Sequence, residues 1–285
     1  MARLPEDAKE VLKEQARRAG AVVCGVAAAG AFEPHAPAGY RPGDLLPEAK
    51  AVVVVGGAAP RAGDWVSASP WVLESMGTGD RINAVGRRMA QFIESDFGYY
   101  ALFVPPGTRS GNNPFLSITL AAELAGLGSS SLAGPLLNRD HGFLYYSAVI
   151  TTCPLEPDSP ETEGACPAPP CRAMWAEQGT TPCLSICPAS TGGCLGGRID
   201  DGKPVRTFYD SAKCSTRVYT HWIPGFQKVL EEALNEQDKE KRKMLLYGDY
   251  FTRTLWAVTY SAQNMAQCFE CMRVCPAAHG LKPLR

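Results

Sequence analysis

The sequence predicts an α+β protein, with an α/β-layered N-terminal half over residues 1–155 and a cysteine-organised C-terminal half over residues 156–285. Three observations predict it. Helical and strand-like patterns alternate through the first half, which argues for helices layered on a sheet. That regularity stops near residue 155, where the chain becomes rich in Pro, Gly, Thr and Cys. Ten of the eleven cysteines then fall between Cys153 and Cys275, and only Cys24 stands apart.

The first element is a helix over roughly residues 5–19, amphipathic and charged throughout, so it lacks the apolar core of a signal peptide. Two strand-like stretches follow, AVVCGVAAA from Ala21 and AVVVVGGAAP from Ala51. The β-branched run of the second suits a buried strand, and the PEAK before it is a short turn. A helix around residues 82–98 has apolar residues at 82, 85, 89, 92 and 93 on one face. Next come a strand at YYALFVPP, a helix at SITLAAELAGLG that stops on Gly126 and Gly128, and a strand at FLYYSAVITT. From Leu155 to Cys214 no periodic pattern survives, so something other than an ordinary apolar core is expected to organise this stretch. A helical segment over 224–263 separates the last three cysteines from the rest, and its EQDKEKRK run is read as a solvated face.

Bulk properties exclude several function classes. The 285 residues carry 28 basic and 29 acidic side chains, a net charge of -1, so the whole chain is not drawn electrostatically to nucleic acid or anionic lipid. No segment approaches the roughly 20 apolar residues of a membrane span. The expected location is cytoplasmic, unless the protein travels folded with a partner that carries an export signal. In a reducing compartment a cysteine cluster reads as metal or redox chemistry rather than a disulfide framework.

The most specific motif is CFECMRVCP, which holds Cys268, Cys271, Cys275 and Pro276. It matches the last three cysteines and the proline of the bacterial run C-x2-C-x2-C-x3-C-P, whose final cysteine ligates the other cluster when two are present. The spacing does not suit a structural zinc site. A looser copy places Cys166, Cys171, Cys183 and Cys187 before Pro188, with the same C-x3-C-P ending but a stretched beginning. Exchange between motifs then predicts two 4Fe-4S clusters. Cys166, Cys171, Cys183 and Cys275 would hold one, and Cys187, Cys268, Cys271 and Cys214 the other. Cys194 stands as an alternative ligand for the first. Cys24 reads as a small core residue.

An α/β half, then EPDSPET, a cysteine motif, CPASTGG, a lone cysteine and a final CxxCxxxCP resembles the epoxyqueuosine reductase and reductive dehalogenase superfamily. The stretch AAELAGLGSSSLAGPLLNRDHGFLYYSAVITTCPLEPD is similar to the region of those enzymes where a helix and glycine turn precede a strand. The resemblance implies a nitroreductase-like cobalamin-binding domain over 1–155, followed by a ferredoxin-like two-cluster domain with a helical insertion over 156–285. Electrons would pass from the distal to the proximal cluster and then to cobalt, supplied by a donor of the reduced ferredoxin or flavodoxin type. Small-residue loops suit the walls of a corrinoid site, so Gly126, Gly128, Ser129, Ser130, Ser131 and Gly134, with Tyr145 and Tyr146 on the next strand, are the candidate contacts. The same glycines and serines also read simply as a turn. The aromatics Trp65, Trp71, Tyr99, Tyr100 and Phe115 would line a pocket or fill the core. No D-x-H-x-x-G motif is present, and His141 reads as a loop residue.

Departures from the family pattern shape the expected function. Gly111 stands where epoxyqueuosine reductases place an acidic proton donor, and the chain stops soon after Cys275, without the helical-repeat tail used for tRNA. The expected activity is a corrinoid-dependent or corrinoid-directed reductase acting on a small molecule or on the corrinoid itself, with no nucleic-acid partner. Two alternatives stay open: an iron-sulfur electron carrier or partner protein, and a reductase with flavin in place of the corrinoid.

Overall fold

The computed structural model describes residues 4–58, 71–104, 108–110, 113–186, 193–210, 222–249, 251–252, 270–278 and 280. Its centre is a four-stranded sheet of β1 (Val23–Ala28), β2 (Ala51–Gly57), β3 (Ala101–Val104) and β9 (Tyr145–Thr151), in the order β1-β2-β9-β3. Every pairing in it is antiparallel, and Val53 of β2 faces Val26 on one side and Val149 on the other.

The valine run of β2 is buried along its whole length because the strand is central and covered on both faces. Alternation divides its side chains. Ala51, Val53 and Val55 enter one core with Leu12 and Ala16 of α1 (Ala8–Arg18) and with Ile82, Val85 and Met89 of α3 (Trp71–Phe92). Val52 and Val54 enter a second core with Ala121 and Ala122 of α4 (Ile118–Leu124). The layers are helix, sheet, helix, as the sequence alternation predicts. A continuous buried run is commonest in parallel sheets, yet here two helical layers bury an antiparallel strand equally well.

Local signals fix the element ends. Ser117 caps α4 by accepting a hydrogen bond from the Leu120 amide at 3.3 Å, and Gly126, at φ 69°, ends it. The helix expected around 82–98 begins earlier, at Trp71, and closes with a π turn over Ile93–Phe97 before Gly98.

The C-terminal half has a core after all. Short strands β6 (Ser129–Ser130), β7 (Leu136–Asn138) and β8 (Gly142–Phe143) form a small sheet. Against it pack α5 (Pro169–Gln178), α6 (Pro182–Ile186) and α9 (Glu270–Arg273), burying Leu132, Leu137, Phe143, Ala165, Met272 and Ala277 together with Cys171 and Cys183. This core joins residues from both sides of position 155. Beside it lies a hairpin of β10 (Leu195–Asp200) and β11 (Lys203–Tyr209). Beyond it, α7 (Trp222–Asn235) and α8 (Lys239–Tyr247) pack on each other. The helical segment expected over 224–263 is therefore broken, because Asp238 ends one helix phase and caps the next by accepting from the amides of Glu240 and Lys241. A two-stranded ladder, β4 (Thr108–Ser110) with β5 (Asn113–Pro114), completes the described strands. Among the described residues no helix is long and apolar enough to cross a membrane.

Candidate functional site

Four cysteines from three separate segments line one small cavity: Cys166, Cys171, Cys183 and Cys275. Each is positioned by a different local device. Cys166 sits at the end of the extended segment that leaves the central sheet. Cys171 lies in the first turn of α5, where Pro169 and Pro170 start the helix, and its amide bonds to the Ala168 carbonyl at 2.9 Å. Cys183 lies in α6 just after Pro182, with its sulfur 3.2 Å from the hydroxyl of fully buried Thr181. Cys275 follows α9, its amide closing a turn onto the Met272 carbonyl at 3.1 Å.

The remaining wall is apolar, made by Leu132, Ala133, Leu137, Ala165, Ala168 and Ala277. Backbone hydrogen bonds reach the sulfurs from Leu132 to Cys166, from Ala168 to Cys171 and from Ala277 to Cys275. Burial outweighs those backbone bonds and, with a smaller push from the neighbouring cysteines, brings the Cys166 thiol up to about 11 and the Cys275 thiol to about 12. Burial and Cys183 raise Cys171 as well. Four converging sulfurs of this kind become thiolates only beside compensating positive charge. Among the described residues no group of three or more His, Cys, Asp or Glu is gathered tightly enough for a single metal ion.

Cys271 does not line this cavity, although it is only four residues from Cys275. Its sulfur faces the Ala133 carbonyl at 3.6 Å. Cys187, Cys214 and Cys268 lie outside the described residues, as do Gly111 and Trp65. Cys194 starts the β10–β11 region, its carbonyl accepting from the Asp210 amide at 2.8 Å, and is not among the cavity residues. Cys24 packs against the sheet core, where burial pushes its thiol up to about 12, and Cys153 is buried in the same core.

The residues 126–134 and the tyrosine pair are spread over several environments. Gly126, at φ 69°, abuts the Ser159 carbonyl, and at Gly128 a Cβ would stand 2.8 Å from the Leu137 carbonyl oxygen. Ser129 is partly buried against Gly164, while Ser130 is exposed and bonds to Glu123. Ser131 bonds to the Pro135 carbonyl at 2.6 Å and lines the cysteine cavity. Gly134 accepts from Arg206 at 3.1 Å. Tyr146 bonds to the Leu127 carbonyl at 3.0 Å in one core, and Tyr145 packs against the other. The loop thus backs the cysteine site and is held by its own backbone contacts. Tyr99 and Phe115 pack against opposite cores, Tyr100 is 73% exposed, and His141 is exposed with its amide on Asn138.

Sequence reasoning missed one ionic anchor. Asp158, in the EPDSPET segment, accepts from the Val26 amide at 2.9 Å and pairs with Lys13 at 2.8 Å and Lys9 at 3.2 Å. It fastens the segment that leads to Cys166 onto β1 and α1.

No protein-family model matches the chain, and no curated protein matches it by sequence. Solved structures do match by shape. An epoxyqueuosine reductase from Bacillus subtilis aligns over 95% of this chain at 18% identity and a TM-score of 0.53. An epoxyqueuosine reductase bound to an epoxyqueuosine-modified tRNA stem loop gives the same values. A reductive dehalogenase of B12-dependent dehalogenation aligns over 92% of the chain at 19% identity and a TM-score of 0.52. The chain spans 65% of the length of those reductases and 37% of that dehalogenase. Its described architecture is therefore the α+β fold that epoxyqueuosine reductases and reductive dehalogenases share.

Proposed function

We propose that this protein is an iron-sulfur reductase of the epoxyqueuosine reductase and reductive dehalogenase type, in which Cys166, Cys171, Cys183 and Cys275 hold a 4Fe-4S cluster. One observation carries the reading: these four cysteines line one apolar cavity while Cys271, from the same short motif as Cys275, is not among its lining residues. That is the ligand exchange expected of paired bacterial-type clusters. The residues fit the group. Four sulfurs supply a complete ligand set, backbone bonds to the sulfurs would offset a cluster's negative charge, and alanine and leucine walls would exclude water. Cys187, Cys214, Cys268 and Cys271 form the proposed second set.

When bound, such clusters supply one-electron transfer. The chain's own contribution is placement: α5, α6 and the turn after α9 hold the sulfurs, and residues 131–133 close the site on the side of the small sheet. The domain reading follows, with a nitroreductase-like unit over 1–155 and a ferredoxin-like unit over 156–285 that share the core around Leu132 and Phe143.

The corrinoid rests on likeness to a fold whose dehalogenase member performs B12-dependent chemistry. Residues 126–134, Tyr145 and Tyr146 are spread over several environments, from the exposed Ser130 to Tyr146 in the sheet core, and Ser131 alone of the expected contacts lines the cysteine cavity. That same observation favours a second reading, an iron-sulfur electron carrier without its own substrate. Epoxyqueuosine-containing tRNA is not the proposed substrate, because the near-neutral chain offers little net attraction for phosphate.

Anaerobic absorption spectroscopy with added cobalamin or flavin separates these readings. A shift of the corrinoid bands on mixing supports the corrinoid reductase, and flavin retention supports the flavin variant. Binding of neither leaves the carrier reading standing and contradicts the reductase.

A further inference from the structure

Building on the cluster reading, we propose that Thr181 is a positioning residue whose hydroxyl donates to the Cys183 sulfur and raises the reduction potential of the cluster held there. Thr181 is fully buried and lines the four-cysteine cavity, with its Oγ1 3.2 Å from Cys183 Sγ. A free thiol and a hydroxyl can each donate across that distance. A ligating thiolate has no proton, so in the loaded site the hydroxyl is the donor.

The local sequence aims the hydroxyl at the sulfur. Thr181 stands immediately before α6, and its carbonyl accepts the Ser185 amide at 2.9 Å, so it occupies the position from which a threonine ordinarily caps a helix. A capping hydroxyl accepts from a backbone amide two or three residues on, yet this one lies against the sulfur of the residue two positions on. Pro182, between them, has no amide to compete for it. The neighbouring Thr180 hydroxyl meets Ser185 instead, at 3.1 Å in an exposed pair.

Cluster potentials follow net charge, solvent exposure and hydrogen bonds to the sulfurs. No charged side chain is among the residues lining the cavity, and its walls are apolar, which leaves hydrogen bonds as the main lever. Leu132, Ala168 and Ala277 reach Cys166, Cys171 and Cys275 through backbone, which a side-chain substitution leaves in place. Cys183 is served by a side chain, which can be removed. Apart from the cysteines, Ser131 is the other polar side chain on the wall, but its hydroxyl is committed to the Pro135 carbonyl at 2.6 Å. Reduction adds one electron, taken from the reductant, and the thiolates carry part of the added negative charge. A donor on Cys183 therefore favours the reduced form over the oxidised one. No bond is made or broken, and the proton stays on the threonine.

The test is a redox titration of the full anaerobically prepared chain with titanium citrate, followed by electron paramagnetic resonance of the reduced clusters. Wild type is compared with Thr181→Val, which keeps the volume and removes the hydroxyl, with Thr181→Ser, which keeps the hydroxyl, and with Ser131→Ala. At the wild-type midpoint of one cluster the reduced-to-oxidised ratio should fall roughly fivefold in Thr181→Val, the scale of one hydrogen bond to a charged group. Thr181→Ser and Ser131→Ala should stay near wild type. Where Thr181→Val assembles too little cluster to titrate, Thr181→Ala carries the same expectation, because it also lacks the hydroxyl. An unmoved midpoint in the variant lacking the hydroxyl overturns the proposal. So does an equal fall in Thr181→Ser, which would assign the effect to the methyl group, or in Ser131→Ala, which would assign it to wall polarity at large. Iron and sulfide analysis of the same samples separates the two levels: their absence from wild type sinks the cluster reading, whereas full iron and sulfide with an unmoved midpoint sinks only the role of Thr181.

Discussion

Cys275 and Cys271 show how a single spacing decides chemistry. Both lie in one nine-residue motif, yet only Cys275 reaches the cavity shared by Cys166, Cys171 and Cys183. The turn after α9 is closed by the Cys275 amide on the Met272 carbonyl and the Ala278 amide on the Cys275 carbonyl. The gathering of these four cysteines was legible in the sequence because C-x3-C-P is a local constraint. The environments of residues 126–134 were less legible, since glycine and serine mark turns and ligand walls with the same letters. At Gly128 a Cβ would stand 2.8 Å from the Leu137 carbonyl oxygen, so the fold itself requires glycine there. Replacing Cys171 with Ser should therefore abolish one cluster, halving the iron and sulfide per chain and loosening the core that Cys171 shares with Leu137 and Met272. Replacing Cys24 with Ser should leave the metal content unchanged, because its buried thiol belongs to the sheet core. Metal analysis of the two variants side by side checks this.

Among the elements, the extended segment from Leu155 to Cys166 has no periodic pattern, and its position is set by Asp158. Burial alone would raise that carboxyl, but hydrogen bonds from Lys13 and the Val26 amide outweigh it and hold it below its ordinary value of 3.8. A group whose folded value is lowered stabilises the fold above the unfolded value and loses that contribution as pH falls through the folded one. Asp158→Asn should cost about 2 kcal/mol at neutral pH, and the difference from wild type should shrink below about pH 4. Chemical denaturation at pH 7 and in that acid range measures it. A second element shows a signal present but obscured: Asp201 and Gly202, at φ 48° and 75°, form the two-residue turn of the β10–β11 hairpin. An Asp-Gly pair is a strong hairpin marker, yet the Gly- and Cys-rich surroundings hide the alternation that would announce the strands. The antiparallel order of the central sheet was hidden for a different reason. A valine run reports burial on both faces and says nothing of strand direction.

At the scale of the whole molecule, the two halves meet through backbone. Gly142 lies against the Ala278 carbonyl, Gly280 lies against Asp140, and the Phe143 amide bonds to the Ala278 carbonyl at 3.0 Å. The end of the final cysteine motif is thus seated on the small sheet that follows α4, and the four-cysteine cavity is lined from both halves. Because that contact is backbone to backbone across more than a hundred residues, composition could not reveal it. The account's central claim is that these cysteines hold iron-sulfur clusters, and the most direct measurement is the iron, acid-labile sulfide and zinc content of protein purified without oxygen. The account predicts roughly eight iron and eight sulfide per chain, from two four-thiolate sites. Stoichiometric zinc with no acid-labile sulfide would contradict it.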